Sequence, residues 1–297
     1  MASSPVPPGN ADYTNDLESL RAWIGSTQES VDVVTATQCN KMQHTLDRDA
    51  AFRDGDVMPL LWHFLTHNSS VPTSKLATDG HPVRGEFLPP VALPRRMWAG
   101  GRLDFRHDIY IGEQVTKRSV VEAIDKKEGR SGLLYFVTVR HDLLVDGQLR
   151  VREEQDLVYR NDPDPRSSRP EPKQAPANAE FSRIVTPSPA MLFRYSALTF
   201  NSHRIHYDVD YARDVEGYPD LVVHGPLTAT LLSDLAQSET GATLQSFSFR
   251  GVAPLFGDEP LIISGRTANG EIELWASRPD GSLAMTATAT VAARSNP

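Results

Sequence analysis

The sequence predicts an α+β protein made of two similar halves, each with one helix followed by antiparallel strands. Three observations lead to this prediction: a Pro-rich segment near the middle of the chain, a strand pattern on both sides of it, and an amphipathic helix ahead of each pattern. The 297 residues are enough for one large domain or two of ordinary size, and a hydrophobic content of 39% can fill a core.

The Pro-rich segment, residues 161–180 (NDPDPRSSRPEPKQAPANAE), has almost no apolar side chains. Such a composition cannot bury enough surface to fold compactly, so we expect an extended linker. It separates a first half, residues 1–160, from a second half, residues 181–297.

The strand pattern begins in each half with a Phe-Arg pair and a Gly-acid pair, and a β-rich run follows. Each run contains an Asp-Gly pair, at Asp146-Gly147 and at Asp280-Gly281, which is typical of a tight turn between two paired strands. Chance similarity between two unrelated units would also give such a pattern, but duplication explains more of it.

The two predicted helices precede these strands. In the first half, residues 56–67 (DVMPLLWHFLTH) place four apolar side chains on one face. In the second half, residues 222–237 (VVHGPLTATLLSDLAQ) have leucines at helical spacing, and Pro226 is suited to a first turn.

Composition excludes several classes of function. A net charge of −8 argues against a nucleic-acid partner, which would need a clustered basic face. Cys39 is the only cysteine, so intramolecular disulfides and thiolate metal clusters are excluded, and a reducing compartment is favoured. We expect a cytoplasmic protein with no membrane span, because we find neither a long apolar run nor a signal sequence.

Polar and titratable residues are concentrated in residues 198–208 (LTFNSHRIHYD), and HGPL follows at His224–Leu227. This arrangement resembles the signature of the MaoC-like, hot-dog-fold enoyl-thioester hydratases, Asp-x-Asn-Pro-x-His-x-Asp followed by His-Gly-x-Leu. His206 falls on the family's catalytic histidine. Residues 80–105 are similar to the first half of a double-hot-dog subgroup that includes mitochondrial-type 3-hydroxyacyl-thioester dehydratases and bacterial mesaconyl-C4-CoA and itaconyl-CoA hydratases.

The resemblance implies a double hot-dog, in which two antiparallel sheets each wrap around a central helix. It implies reversible hydration of enoyl-CoA thioesters or dehydration of 3-hydroxyacyl-CoA thioesters, as part of fatty acid or related acyl-CoA metabolism. The first half lacks the motif, so we expect it to be non-catalytic and to form the tunnel for the acyl chain and pantetheine.

The hydratase chemistry assigns roles to three residues. His206 would be the acid/base, because an imidazole titrates near neutral pH. The Gly225 N–H at a helix start would bind the thioester oxygen. Asn201 stands where the family has an aspartate and would hold the water. The sequence leaves open whether His206 moves the proton alone, in one direction or both, or whether a carboxylate from elsewhere takes part.

Substrate contacts are expected from five further residues. His203 and Arg204 add positive charge where the family has Asn and Pro, which suggests a dicarboxylic acyl group such as itaconyl- or mesaconyl-CoA. Arg95 and Arg96 could meet CoA phosphates or be a solvated strand start, and His224 would also line the substrate site.

Three alternatives accompany this interpretation. The His-x-x-His at His203 and His206 could bind a metal with His224 or Asp208, but the hydratase explains these residues without one, so no metal or cofactor is predicted. A hot-dog thioesterase and an inactive acyl-thioester binding protein are the rival functions. A homodimer is also compatible with the sequence.

Overall fold

A computed structural model of the protein describes residues 13–49, 51–129, 132–162 and 171–291. Within these residues, ten antiparallel strands form one continuous sheet. The strands are β1 (Thr27–Val33), β2 (Arg95–Phe105), β3 (Gln114–Gly129), β4 (Gly132–Val145), β5 (Gln148–Arg160), β6 (Phe181–Val185), β7 (Leu244–Gly251), β8 (Leu261–Ala268), β9 (Glu271–Ser277) and β10 (Leu283–Val291).

The strand order of the sheet repeats between the halves. The first half runs β1-β3-β4-β5-β2 from its outer edge inward, and the second half runs β6-β8-β9-β10-β7 from the opposite edge inward. The same connectivity therefore occurs twice, as duplication predicts. The halves join where β2 pairs with β7, from Gly100 opposite Arg250 to Asp104 opposite Ser246.

The two Asp-Gly pairs lie in hairpins, as predicted. Asp146 and Gly147 have positive φ angles of 49° and 78°, which is the backbone that a type I′ turn between β4 and β5 requires. At the second pair only Gly281 has a positive φ, and the connection between β9 and β10 is longer.

The α-helices are α1 (Leu17–Arg21), α2 (Ala36–Thr45), α3 (Pro189–Leu198) and α4 (Gly225–Thr240). The predicted second-half helix is α4, which packs against β7, β8, β9 and β10. Its leucines Leu227, Leu231, Leu232 and Leu235 are buried. Truncating one such leucine to alanine typically costs about 2–5 kcal/mol, so this helix is a main support of the second half.

The predicted first-half helix at residues 56–67 is wrong. Met58 N–H donates to the Ile109 carbonyl, and Leu61 has a left-handed φ of 67°, so only a short 3₁₀ turn forms at Trp62–Leu65. Pairing with the distant loop segment at Ile109 and Tyr110 overrides the local apolar pattern. The first half instead has α2, which begins with a capping box between Thr35 and Gln38.

The predicted linker lies partly outside the described residues, which leave out 163–170. Residues 171–180 contact the second half. Leu283 N–H donates to the Lys173 carbonyl, and Gln174 forms an isolated β-bridge with Ser282. No helix among the described residues is long and apolar enough to cross a membrane.

Candidate active site

A cavity of about 2560 Å³ lies between the two halves and contains most of the predicted site. The second half contributes residues 200–203 and 205–207 to its wall, together with Gly225 at the start of α4. The first half contributes residues 80–84 and 95–99. The cavity is large enough for a thioester with a long carrier arm.

His206 is held in one tautomer at the wall of this cavity. It lies in a 3₁₀ turn, Arg204–His206, and its ring Nδ1 is 2.7 Å from the Val222 carbonyl oxygen. A carbonyl only accepts hydrogen bonds, so Nδ1 carries the proton and Nε2 keeps its lone pair. Burial lowers the pKa of His206 to about 4, although the hydrogen bond to Val222 opposes this. The imidazole is therefore neutral at physiological pH.

His224 supports His206 from behind. The two rings stack with centroids 3.7 Å apart, and His224 Nε2 lies 2.8 Å from the Ser196 hydroxyl. His224 is only 1% exposed and is absent from the cavity wall. The structure therefore places it beneath His206 and away from the cavity wall, where it does not reach a substrate.

Arg204 is predicted to contact a substrate carboxylate, but its guanidinium binds groups of the protein instead. Its guanidinium forms an ion pair with Asp208 at 2.8 Å, donates to the Thr78 carbonyl and lies over the Tyr211 ring at 4.1 Å. It does not line the cavity. Because these partners occupy the guanidinium, it is not free to meet a substrate carboxylate there.

Asn201 has a structural task that the sequence left open. Its Oδ1 accepts a hydrogen bond of 3.0 Å from the His203 N–H and so fixes the turn that leads to His206. The side-chain NH₂ has no protein partner among the described residues, and Asn201 lines the cavity. Its amide can therefore donate to a water, while its oxygen is already used.

Gly225 begins α4, and His224 is the residue before it. Helix starts leave N–H groups unpaired and carry a partial positive charge. A Cβ built on Gly225 would meet no atom within 4 Å, so the cavity reaches the backbone at this point. This geometry suits an oxygen acceptor such as a thioester carbonyl.

His203 and two first-half residues complete a cluster at the same wall. The His81 ring lies 4.1 Å from that of His203, which lies 5.4 Å from that of His206. His81 Nδ1 is 2.9 Å from the Asp79 carboxylate. Although burial opposes it, hydrogen bonds from His81 hold the pKa of Asp79 well below its usual range. Burial is the main cause of the lowered pKa values of His81 and His203.

The first-half segment docks on the motif through backbone contacts. Arg204 N–H donates to the Asp79 carbonyl at 2.9 Å, and the Ser202 hydroxyl donates to the Gly80 carbonyl at 2.5 Å. A Cβ on Gly80 would lie 1.8 Å from the Ser202 carbonyl oxygen, and Gly80 has a φ of +88°. Only glycine permits this close approach.

The two adjacent arginines of β2 differ in their partners. Arg95 forms ion pairs with Asp162 at 2.7 Å and Glu216 at 3.2 Å. Arg96 is half-buried, lines the cavity, and has no carboxylate at ion-pair distance among the described residues. After burial, the Arg96 charge is the next largest cause of the low pKa of His81. Among the described residues, Arg96 is therefore a cation near the histidine cluster that has no carboxylate partner.

The residues that could bind a metal differ from those predicted. Asp208 is used by Arg204, and His224 Nε2 by Ser196, so neither completes a set with His203 and His206. Asp79, His81 and His203 instead have ligand atoms within 4.8 Å of one another. Two imidazoles and one carboxylate would suit a divalent transition metal, and a metal would have to compete with the hydrogen bond between His81 and Asp79.

The sequence profile of the family "Hydroxyacyl-thioester dehydratase type 2" matches residues 61–257, which include both parts of this site. The chain belongs to this family. Two relatives of the chain are a hydratase and a dehydratase. The chain is accordingly an enzyme that hydrates enoyl thioesters or dehydrates 3-hydroxyacyl thioesters.

Two relatives show how far the similarity extends. The mesaconyl-C4-CoA hydratase of Chloroflexus aurantiacus is 43% identical over 268 residues, covering 90% of this chain and 96% of the relative. The mitochondrial hydroxyacyl-thioester dehydratase type 2 of Schizosaccharomyces pombe is 30% identical over 244 residues, covering 73% of this chain and 79% of the relative.

Two solved structures agree in fold. HtdX of Mycobacterium tuberculosis has a TM-score of 0.65 at 17% identity, covering 90% of this chain and 100% of that one. Another Mycobacterium tuberculosis protein, described as a double hot-dog, has a TM-score of 0.54 at 13% identity, covering 90% of this chain and 96% of that one. The predicted α+β double hot-dog is confirmed.

Asp79 and His81 were missed from the sequence. Asp79 immediately precedes residues 80–105, the stretch that resembles the subgroup's first half, and His81 lies within it, but the first half carries no hydratase motif. The Asp-Gly-His spacing was the available signal, because a carboxylate two residues before a histidine can reach its Nδ1.

Proposed function

We propose that the enzyme hydrates a short dicarboxylic enoyl-CoA of the mesaconyl type, and that it also catalyses the reverse dehydration. The observation that carries this proposal is the 43% identity to a mesaconyl-C4-CoA hydratase over nearly the whole of both chains. Itaconyl-CoA, which the sequence also suggested, is kept as a competing substrate in the test below.

The unpaired Arg96 supports a dicarboxylic acyl group. In a mesaconyl-C4 thioester the free carboxylate is bonded to Cβ, the carbon that water attacks. A cation for this carboxylate must therefore lie beside the acid/base residues, and the Arg96 charge reaches His81 and His203. Arg can pair with a carboxylate through two parallel hydrogen bonds. We assign Arg96 to the acyl carboxylate instead of the CoA phosphates, which the pantetheine arm keeps far from Cβ.

The catalytic roles follow the geometry of the cluster. We propose that the His206 Nε2 lone pair accepts a hydrogen bond from the attacking water, which the Asn201 amide also contacts. The Gly225 N–H receives the thioester oxygen, on which negative charge develops as water adds to Cβ. Removing one such donor typically costs about 2.7–4 kcal/mol of barrier.

The first half is proposed to form most of the tunnel for the acyl chain and pantetheine. Its residues form a large part of the cavity wall, including Leu88, Met97, Trp98 and Leu157.

The location in the cytoplasm and the homodimer remain predictions of the sequence. A buried Cys39, whose pKa burial raises to about 11, is an unreactive thiol in any compartment.

The proposal is tested with mesaconyl-C4-CoA, itaconyl-CoA and crotonyl-CoA, and with the variant Arg96→Gln. We expect the variant to lose about 100-fold in kcat/KM for the mesaconyl thioester, as for a broken buried charge pair, and little for crotonyl-CoA, which has no carboxylate. Steady-state rates are measured from the loss of enoyl absorbance.

Arg95→Gln is the matched control because Arg95 neighbours Arg96 but is paired with Asp162 and Glu216. It should change the rates for the mesaconyl and crotonyl thioesters by the same factor. An Arg96 variant that weakens both substrates equally would contradict the assignment to the acyl carboxylate. A wild-type enzyme that prefers crotonyl-CoA would contradict the dicarboxylic substrate.

A further inference from the structure

Asp79 and His81 form a hydrogen-bonded couple at the cavity wall. The His81 backbone N–H donates to Asp79 Oδ1, and its ring Nδ1 donates to Asp79 Oδ2; each donor–acceptor distance is 2.9 Å. The carboxylate therefore fixes the tautomer with a proton on Nδ1 and a lone pair on Nε2. His81 Nε2 has no protein partner among the described residues, and His81 lines the cavity.

His206 has a different support. Its Nδ1 partner is the neutral Val222 carbonyl, and no carboxylate hydrogen-bonds to His203, His206 or His224 among the described residues. A carbonyl orients an imidazole but stabilises an imidazolium less than a carboxylate does. His81 is thus the imidazole of this cluster that is best built to hold a proton during a reaction.

We infer that His81, oriented by Asp79, is the acid/base residue of the hydration, and that this first-half couple replaces the aspartate absent at Asn201. The inference rests on the proposed function and adds the residue that carries the proton. It gives the first half, which was expected to be non-catalytic, a part in the chemistry. His81 is then a catalytic residue and Asp79 a positioning residue.

The step balances with one water and no other reactant. His81 Nε2 takes one proton from the water while the water oxygen bonds to Cβ. The electrons of the C=C bond move into the enolate, whose oxygen the Gly225 N–H holds. The enolate then re-forms the thioester carbonyl as Cα takes the proton from His81, which returns to its neutral state. Asp79 stays ionised throughout.

The positions of the rings support a shared water. His81 and His206 both lie next to His203, with ring centroids 4.1 Å and 5.4 Å from its own, and all three line the cavity. In His81 and His206 the ring Nδ1 is hydrogen-bonded to a protein acceptor, and neither Nε2 has a partner in the part of the chain that the structure describes. In the inferred mechanism, the attacking water donates one hydrogen to His81 Nε2, and His206 Nε2 orients the hydrogen that stays on oxygen.

The test compares His81→Gln and Asp79→Asn with the wild type on the best enoyl-CoA. We expect His81→Gln to lose about 100-fold or more in kcat with little change in KM, the usual contribution of a general acid/base. Asp79→Asn should lose less. It should also move the acidic limb of the kcat/KM profile to lower pH, because His81 without its carboxylate binds a proton less tightly. Asp79→Glu should restore part of the rate.

Asp142→Asn is the matched control for losing a carboxylate. Asp142 has a lowered pKa despite partial burial because Arg152 and Arg140 bind it, and it does not line the cavity. Its variant should lower the stability and leave kcat and the pH profile unchanged. Thermal unfolding of every variant separates loss of fold from loss of chemistry.

Three results would overturn the inference while the proposed function stands, provided that the wild type hydrates its substrate. One is a His81→Gln enzyme with near-wild-type kcat. Another is an Asp79→Asn enzyme that is slower at every pH by one factor, with no shift of the limb. The third is a stoichiometric metal in the purified enzyme whose removal by a chelator abolishes activity, since Asp79, His81 and His203 would then be ligands. If the wild type hydrates none of the thioesters, the proposed function itself fails.

Discussion

At the scale of single residues, hydrogen-bond partners decide what each polar side chain of the site can do. His206 and His81 present the same ring nitrogen to the cavity because different acceptors hold the other one. Arg204 and Arg96 carry the same charge, yet Arg204 is paired with Asp208 and Arg96 has no carboxylate partner among the described residues. Residue type alone therefore could not separate the two, and the sequence assigned the substrate carboxylate to Arg204.

Gly225→Ala tests the helix start at this scale. The added Cβ meets no protein atom within 4 Å, so we expect a free energy of unfolding within about 0.5 kcal/mol of the wild type. The methyl group takes space next to the N–H that would bind the thioester oxygen, so kcat/KM should fall by about tenfold or more, as for a weakened oxyanion donor. Urea unfolding and steady-state kinetics measure the two effects.

Gly241→Ala, at the other end of α4, should behave in the opposite way. Gly241 ends the helix with a φ of 63°, which alanine adopts at a cost on the order of 1 kcal/mol. Stability should fall and kinetics should be unchanged. A Gly225 variant with normal kinetics would exclude this N–H as the site of the thioester oxygen.

At the scale of elements, local patterns predicted those pieces that local forces determine. The turn at Asp146-Gly147 and helix α4 were predictable because turn geometry and helical spacing act over a few residues. The segment 56–67 was not, since it pairs with a distant segment at Ile109. The capping box of Thr35 and Gln38 could have predicted helix α2. The apolar pattern of residues 56–67 instead favoured a helix there.

The same limit applies to the site. The motif from Asn201 to His206 is continuous in sequence, and resemblance to the family located it. Asp79 and His81 join it through a contact between Gly80 and Ser202, which are 122 positions apart in the chain. A single sequence does not indicate that two segments so far apart in the chain are in contact. The contribution of Asp79 and His81 to the site therefore became visible only in the structure.

Gly80→Ala tests the docking of these two segments. Its Cβ would lie 1.8 Å from the Ser202 carbonyl oxygen, so the segments must separate. We expect a loss of stability larger than the ordinary cost of a positive φ, about 1 kcal/mol, together with a large loss of kcat. Gly217→Ala is the matched control, because Gly217 has a φ of +72° and open space around it.

Equal effects of the Gly80 and Gly217 variants on stability and rate would contradict this prediction. The difference between them isolates the contact between the halves from the cost of the backbone conformation. Unfolding and kinetic measurements on the same protein samples provide both quantities.

At the scale of the whole molecule, the large cavity lies between two copies of the same strand arrangement, and the buried histidines His141 and His206 line it. Burial lowers the pKa of both His141 and His206 to about 4. The unfolded chain therefore binds protons more tightly than the folded chain between about pH 6.5 and 4. Stability should be complete above pH 6.5 and should fall as the pH drops through this window.

We expect the free energy of unfolding to be lower at pH 5 than at pH 7, with each buried histidine contributing up to the order of 3 kcal/mol across the full window. Burial raises the pKa of Glu153, but its interaction with His63 and a hydrogen bond from Gln155 outweigh this and lower the pKa to about 2, so Glu153 acts only at lower pH. Urea unfolding at both pH values measures this. His141→Gln should reduce the difference, and equal stabilities at pH 5 and pH 7 would contradict the prediction.

The most direct test of the central claim is the product formed from mesaconyl-C4-CoA, followed by NMR in D₂O together with an assay for free thiol. The proposed function predicts a 3-hydroxyacyl-CoA with the hydroxyl on the carbon that bears the carboxylate, one deuterium on Cα and no released CoA. Release of free CoA would make the protein a thioesterase. An unchanged substrate would mean that this chain does not hydrate the mesaconyl thioester.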